Sequence, residues 1–102
     1  MISLEVREAK NLKEKIIGLM MEIKAKPLLI KTRFGIHTFF LKFPIDILIL
    51  DKGYKVRCVK EDLYPYRFFF WNPKYNMVVE LPDGTIKENK IKTGQQVKLL
   101  TI

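Results

Sequence analysis

From Ile45 to Leu50 the chain reads Ile-Asp-Ile-Leu-Ile-Leu, an extended run that is apolar on both faces except for one carboxylate. A strand of that kind needs cover on both sides, so it predicts a buried strand within a layered domain. It closes a longer segment, Gly35 to Asp51, which also holds the only histidine, His37, together with Thr38, Lys42 and Pro44. Polar groups set in such a run must find partners inside the fold or be exposed for use, because burying them bare costs several kcal/mol.

The flanking sequence predicts more strands. Ile2, Leu4 and Val6 alternate with Ser3, Glu5 and Arg7, the period of a half-buried strand. Asn11 with Glu14 reads as a capping box, and Leu12, Ile16, Leu19 and Met20 fall on one helical face, which predicts a short amphipathic helix over residues 12–21. Leu28 to Ile30 suits a short buried strand. Residues 36–42 and 45–50 read as strands on either side of Pro44, which cannot donate to a ladder. Asp51-Lys52-Gly53 predicts a hairpin turn, with Tyr54 to Lys60 returning so that Tyr54, Val56 and Cys58 share a face. Asn76 to Leu81 is another strand, stopped by Pro82-Asp83-Gly84; residues 85–91 suit a helical turn, and Val97 to Ile102 a last strand. Many short strands with one helix near the N-terminus predict an α+β, mainly β fold: a small curled or barrel-like sheet, antiparallel or mixed.

A chain of 102 residues with a 48% apolar share makes one domain, residues 1–102. Cys58 is the single cysteine, so no internal disulfide forms, and with one His a Cys/His zinc cluster cannot be built. No cofactor is expected. No apolar run reaches the roughly 18–20 residues of a membrane span, and Met1 to Glu8 has no features of a secretion signal, which points to a cytoplasmic protein. Abundant Lys, Ile and Glu suit a thermophilic source. The net charge of +8 is scattered: residues 1–33 carry eight bases and four acids, residues 34–83 seven and six, residues 84–102 four and one. A solvated face of lysines accounts for it better than a phosphate-tracking surface.

The residues singled out as a candidate ligand site are His37, Thr38, Lys42 and Asp46, with Phe40 as an apolar wall and Arg67 as a second source of charge. Lys42 would meet an anionic group, His37 and Thr38 would orient it, and Asp46 would hold the constellation through His37, Lys42 or backbone amides. Paired with Asp46, His37 would have the fixed tautomer that acid/base chemistry needs. No nucleophile beyond Thr38 and no glycine loop accompanies them, so an enzyme using His37 is the minor alternative.

A second feature is the aromatic run Tyr64, Tyr66, Phe68, Phe69, Phe70, Trp71 and Tyr75. Interleaved with bases, such a run stacks single-stranded nucleic acid, but only Arg67 and Lys74 lie within it. Core packing explains it more simply, and any exposed part would be an association surface, so monomer and homodimer both remain open.

Lys15-Ile16-Ile17-Gly18-Leu19-Met20, then His37 through Ile47, then Leu50-Asp51-Lys52-Gly53, Val79-Glu80-Leu81-Pro82-Asp83-Gly84-Thr85 and Lys92-Thr93-Gly94-Gln95-Gln96-Val97 together resemble domain-of-unknown-function family 192. The resemblance covers nearly the whole chain and implies a small β-rich domain of bacteria and archaea, with no reaction attached. Leu41 stands where many members carry Met, and Gln95-Gln96 where an acid is common, which weakens any metal there. The reading is a non-enzymatic domain that binds a small ligand or a protein partner near His37 to Asp46, with a single-stranded nucleic-acid module as an alternative and no membrane partner.

Overall fold

The computed structural model describes residues 1–9, 27–33, 35–39 and 41–101. Eight strands appear among them: β1 (Ile2–Ala9), β2 (Leu28–Lys31), β3 (Ile36–His37), β4 (Ile45–Leu50), β5 (Val56–Leu63), β6 (Phe68–Phe69), β7 (Met77–Pro82) and β8 (Val97–Thr101). One short helix, α1, spans Thr85–Glu88. The fold is mainly β, as expected. The helix expected over residues 12–21 lies outside the described residues; the helix that is described follows β7, where residues 85–91 suited a helical turn.

Six strands form one mixed sheet in the order β5-β4-β7-β2-β1-β8. β1 runs parallel to both β2 and β8, and the other neighbours are antiparallel. The sheet curls into a half-barrel whose two outer strands approach at one end. There Val56 N–H donates to the Gln95 carbonyl at 2.8 Å, Gly94 N–H to the Val56 carbonyl at 2.7 Å and Val97 N–H to the Tyr54 carbonyl at 2.9 Å. β3 and β6 make a separate two-stranded ribbon.

β4 is buried at every position, as its two-faced apolar pattern requires. Leu48 and Leu50 join Leu4, Val6, Leu29, Val56, Val79, Leu81 and Ile86 in one core. Ile45, Ile47 and Ile49 join Leu28, Ile30, Val78 and Leu63 in a second core on the other face, roofed by Ile36 and Leu41 with Phe69, Trp71 and Tyr75 packed against it. The aromatic run is therefore divided: Phe69, Trp71 and Tyr75 line a core, while Tyr64, Tyr66, Phe68 and Phe70 are exposed.

Two local expectations fail, each for a reason of pairing. The strand expected over 36–42 ends at His37, because Thr38 turns the chain: its carbonyl accepts from Leu41 N–H at 3.1 Å and from Tyr66 N–H at 3.2 Å. Val56 and Cys58 were expected on one face but pack into opposite cores. Leu50 pairs with Val56 while Ile49 pairs with Cys58, so Arg57 is an extra residue, and a bulge of one residue reverses the alternation beyond it.

Candidate functional site

β4 places Asp46 on the first core's face, one residue inside a second irregularity of the β4–β5 ladder, where Ile45 pairs with Leu63 and Ile47 with Lys60. Glu61 and Asp62 therefore bulge opposite Asp46, with Asp62 at φ 55°. One Asp46 oxygen accepts from the Asp62 backbone N–H at 3.1 Å, and the other from the Ile86 N–H in the first turn of α1 at 3.0 Å. Backbone amides are thus its partners, one of the three options open in the sequence. The carboxyl oxygens of Asp46, Asp62 and Asp83 lie within 4.8 Å of one another. Hydrogen bonding to Asp62, then burial and the charges of Asp62 and Asp46, raise Asp83 to about 6. Three carboxylates at this spacing are donors of the kind a hard cation takes, but Asp46 spends both oxygens on the backbone. Within the cluster it is the Asp83 carboxyl that is held above its ordinary range, by hydrogen bonding and like charge.

Thr38 is fully engaged as well. Its Oγ1 donates to the Tyr64 carbonyl at 2.7 Å and accepts from Arg67 N–H at 3.0 Å, while its own N–H donates to the Arg67 carbonyl at 2.9 Å. Thr38 and Arg67, two of the predicted site residues, are therefore in direct contact. His37 is half-buried beside Phe39, ring centroids 5.0 Å apart, and Lys42 is exposed. Phe40 lies outside the described residues. The hydrogen bonds of Asp46 go to β5 and α1, and those of Thr38 to the chain between β5 and β6, so the predicted set divides into two anchoring points.

A cavity that no sequence motif announced opens at the end of the sheet where β4 turns into β5. It has a volume of about 530 Å³ and is lined by Arg33, Leu50, Asp51, Lys52, Gly53, Arg57, Lys74, Tyr75 and Asn76. Four cations and one carboxylate surround it. Asp51 is committed: its Oδ1 accepts from Gly53 N–H at 2.9 Å and Lys55 N–H at 3.0 Å, and its Oδ2 from Arg57 Nε at 2.8 Å. The Lys55 amide acts most strongly on this carboxyl and lowers it; burial, next in size, opposes it, and the Arg57 guanidinium and the Gly53 amide add to the lowering, so the carboxyl lies below its ordinary value. Arg57 is thereby fixed through Nε, and the bulge that carries it is the one that overturned the expected register. Arg33 donates to the Pro73 carbonyl at 3.2 Å, and Lys74 lies 6.0 Å from the Tyr75 ring centre. The loop between them is stiff: Lys74 N–H donates to Asn72 Oδ1, Tyr75 N–H to the Asn72 carbonyl, and Trp71 Nε1 to the Tyr75 carbonyl at 2.8 Å. The signal missed was spatial, since the four bases come from three separated stretches of chain, around Arg33, Lys52–Arg57 and Lys74.

A mainly β half-barrel of this topology, with strand-end loops that carry its polar groups, defines a class of small curled-sheet domains. The chain belongs to the DUF192 family, described as uncharacterised ACR, whose model matches residues 1–99. It is 28% identical over 103 residues to a UPF0127 protein of Pyrococcus horikoshii, covering 95% of this chain and 89% of that one. A UPF0127 protein of Pyrococcus furiosus is 27% identical, with 95% and 88% covered. These relatives come from thermophiles, in keeping with the composition. Among solved structures, the chain is similar to a protein of unknown function from Novosphingobium aromaticivorans, with a TM-score of 0.75, 17% identity, and 89% of this chain and 71% of that one covered. It is also similar to a protein from Sinorhizobium meliloti described as a candidate transcription regulator, with a TM-score of 0.71, 19% identity, and 89% and 78% covered. At those identities the likeness is one of fold. No described helix is long and apolar enough to cross a membrane.

Proposed function

We propose that this chain is a non-enzymatic domain that binds a small polyanion, a phosphorylated or multiply carboxylated molecule, in the cavity between Arg33, Lys52, Arg57 and Lys74. The observation that carries the reading is the convergence of four cations on one concave site whose only carboxylate among the described residues is neutralised by Arg57 and two backbone amides. Like charges crowded together repel, so the free site carries an electrostatic cost that an anion removes. Arg57 offers the two NH₂ groups that Asp51 leaves free among the described contacts, and Lys52 and Lys74 act as point charges. Leu50 and the Tyr75 ring give an apolar wall for the body of the ligand. The described lining holds no His, Ser, Thr or Cys, and its described carboxylate, Asp51, already accepts three hydrogen bonds, which argues against a nucleophile or base there. In this reading the domain works in the cytosol, where the lone Cys58 stays reduced.

Trp71 reports on the site through its bond to the Tyr75 carbonyl. Titration with inorganic pyrophosphate and with citrate, at constant ionic strength set by sodium chloride, is expected to change Trp71 fluorescence saturably. Lys52→Gln and Lys74→Gln, both on exposed side chains, should each weaken binding by about tenfold without altering the fold. A linear response to both anions, or saturable binding indifferent to both substitutions, would overturn the reading.

A further inference from the structure

The exposed aromatics form a second surface, remote in chemistry from the basic cavity. Phe39, Tyr64, Tyr66, Phe68 and Phe70 are exposed by 37%, 58%, 72%, 61% and 67%. Four of them touch in sequence. Phe39 lies 4.8 Å edge-on from Phe68 and 6.5 Å from Tyr66, and Phe68 stacks on Phe70 at 5.9 Å. The ridge is built rather than accidental. Phe70 lies over Gly35, whose φ is +89°, so closely that a Cβ there would come within 2.5 Å of its ring. Thr38 pins the backbone at Tyr64, Tyr66 and Arg67. Rings held this way lose little freedom on being covered.

Beside the ridge lies a cleft of about 570 Å³ lined by Lys60, Glu61, Asp62, Leu63, Tyr64, Arg67, Phe68 and Phe69. Its charged residues are two bases and two acids, so this face is locally neutral although the chain carries +8. We propose that the face is a homodimer interface, with the ridge of each copy set against the cleft of the other across a two-fold axis. A two-fold interface must be complementary to itself, and here bases and acids share one patch, so Lys60 and Arg67 of one copy meet Glu61 and Asp62 of the other. The exposed parts of the five rings amount to about three whole side chains, on the order of 450–750 Å² at 150–250 Å² for each. Two such faces remove roughly 900–1,500 Å², around the lower end of specific interfaces, so the dimer is weak and reversible. A nucleic acid would need an excess of bases, which the described lining of this face lacks.

Sedimentation equilibrium of the full chain over a wide concentration range, at low and at high salt, tests the proposal. A monomer–dimer equilibrium is expected, and it should tighten as salt rises, because screening weakens the repulsion between two +8 chains. Phe68→Ser and Phe70→Ser, both at exposed positions, should each weaken the dimer by about tenfold with unchanged circular dichroism. Arg67→Glu should weaken it too, and Glu61→Arg added to the same chain should restore it. A chain monomeric throughout, or a dimer indifferent to the two serines, overturns the proposal. So does a monomer that binds an oligothymidylate with affinity falling as salt rises.

Discussion

Two carboxylates on neighbouring strands, Asp46 of β4 and Glu80 of β7, are buried to the same degree, at 1% and 0% exposure, and live under opposite conditions. Asp46 faces the core that reaches α1 and accepts one backbone N–H on each oxygen. Glu80 faces the other core, and neither of its oxygens has a hydrogen-bond partner among the described residues. The register explains why. Lys60, Ile47, Glu80, Leu28 and Arg7 fall in one row across the sheet, so each neighbour of Glu80 is aliphatic. The nearest bases of the row stand two strands away, about 9–10 Å at the usual strand spacing. Burial without a partner pushes the Glu80 carboxyl up to about 8, and the group is mostly neutral at pH 7. Depth of burial does not set the cost of a charge; what faces it does.

The largest expected effect tests the Glu80 half of that contrast. A carboxyl raised from 4.5 to about 8 on folding binds its proton more tightly in the native state. Its contribution to stability is therefore fully present below pH 4.5 and is lost as pH rises through about 8. At 1.4 kcal/mol per unit, the loss across that window is on the order of 5 kcal/mol. Urea unfolding from pH 4 to pH 9 should show the decline, and Glu80→Gln, which cannot titrate, should remove most of it and unfold later than the parent at pH 9. An unchanged slope in Glu80→Gln would mean that Glu80 is charged and compensated in solution, and the contrast would fall.

Asp46→Ala carries the next largest effect, in the opposite direction. It leaves the amides of Asp62 and Ile86 without acceptors, a loss of about 2–4 kcal/mol at neutral pH, with Asp46→Asn about half as costly because one oxygen remains. Amide exchange should rise first at Asp62 and Ile86. A variant as stable as the parent would show that Asp46 is held for a purpose other than anchoring. Thr38→Val extends the rule to an uncharged group: it keeps the shape, removes the bonds to Tyr64 and Arg67, and should cost about 1–2 kcal/mol in the same assay.

Parts of this arrangement were legible in the sequence. The two-faced apolar pattern of Ile45 to Leu50 correctly marked a buried strand, and Asp51-Lys52-Gly53 and Pro82-Asp83-Gly84 marked real turns, because those signals are local. The bulges at Arg57 and at Glu61–Asp62 were not legible, since a bulge is fixed by which residue the partner strand presents. Those two bulges account for most of what was missed. One puts Arg57 beside Asp51 in the basic cavity and turns Cys58 to the other core; the other brings Asp62 to Asp46. In the sequence Glu80 figured only within the Val79 to Thr85 stretch of the family resemblance. Only the register shows that it has aliphatic neighbours on both sides.

Asp83 supplies the finest test, as a third carboxyl between the two extremes. It is exposed, yet it is raised to about 6 by its hydrogen bond to Asp62, then by partial desolvation and by the charges of Asp62 and Asp46. Solvent screens it, and its effect on stability is small, confined to a loss as pH rises from 3.8 through about 6. Its titration is still measurable by carbon-detected NMR. Asp62→Ala should bring the Asp83 midpoint well down, because the Asp62 hydrogen bond is the largest cause, and Asp46→Asn should lower it by less. The reverse order would mean that the charge of Asp46 reaches Asp83 more strongly than the Asp62 bond does, and that the two backbone amides do not spend that charge.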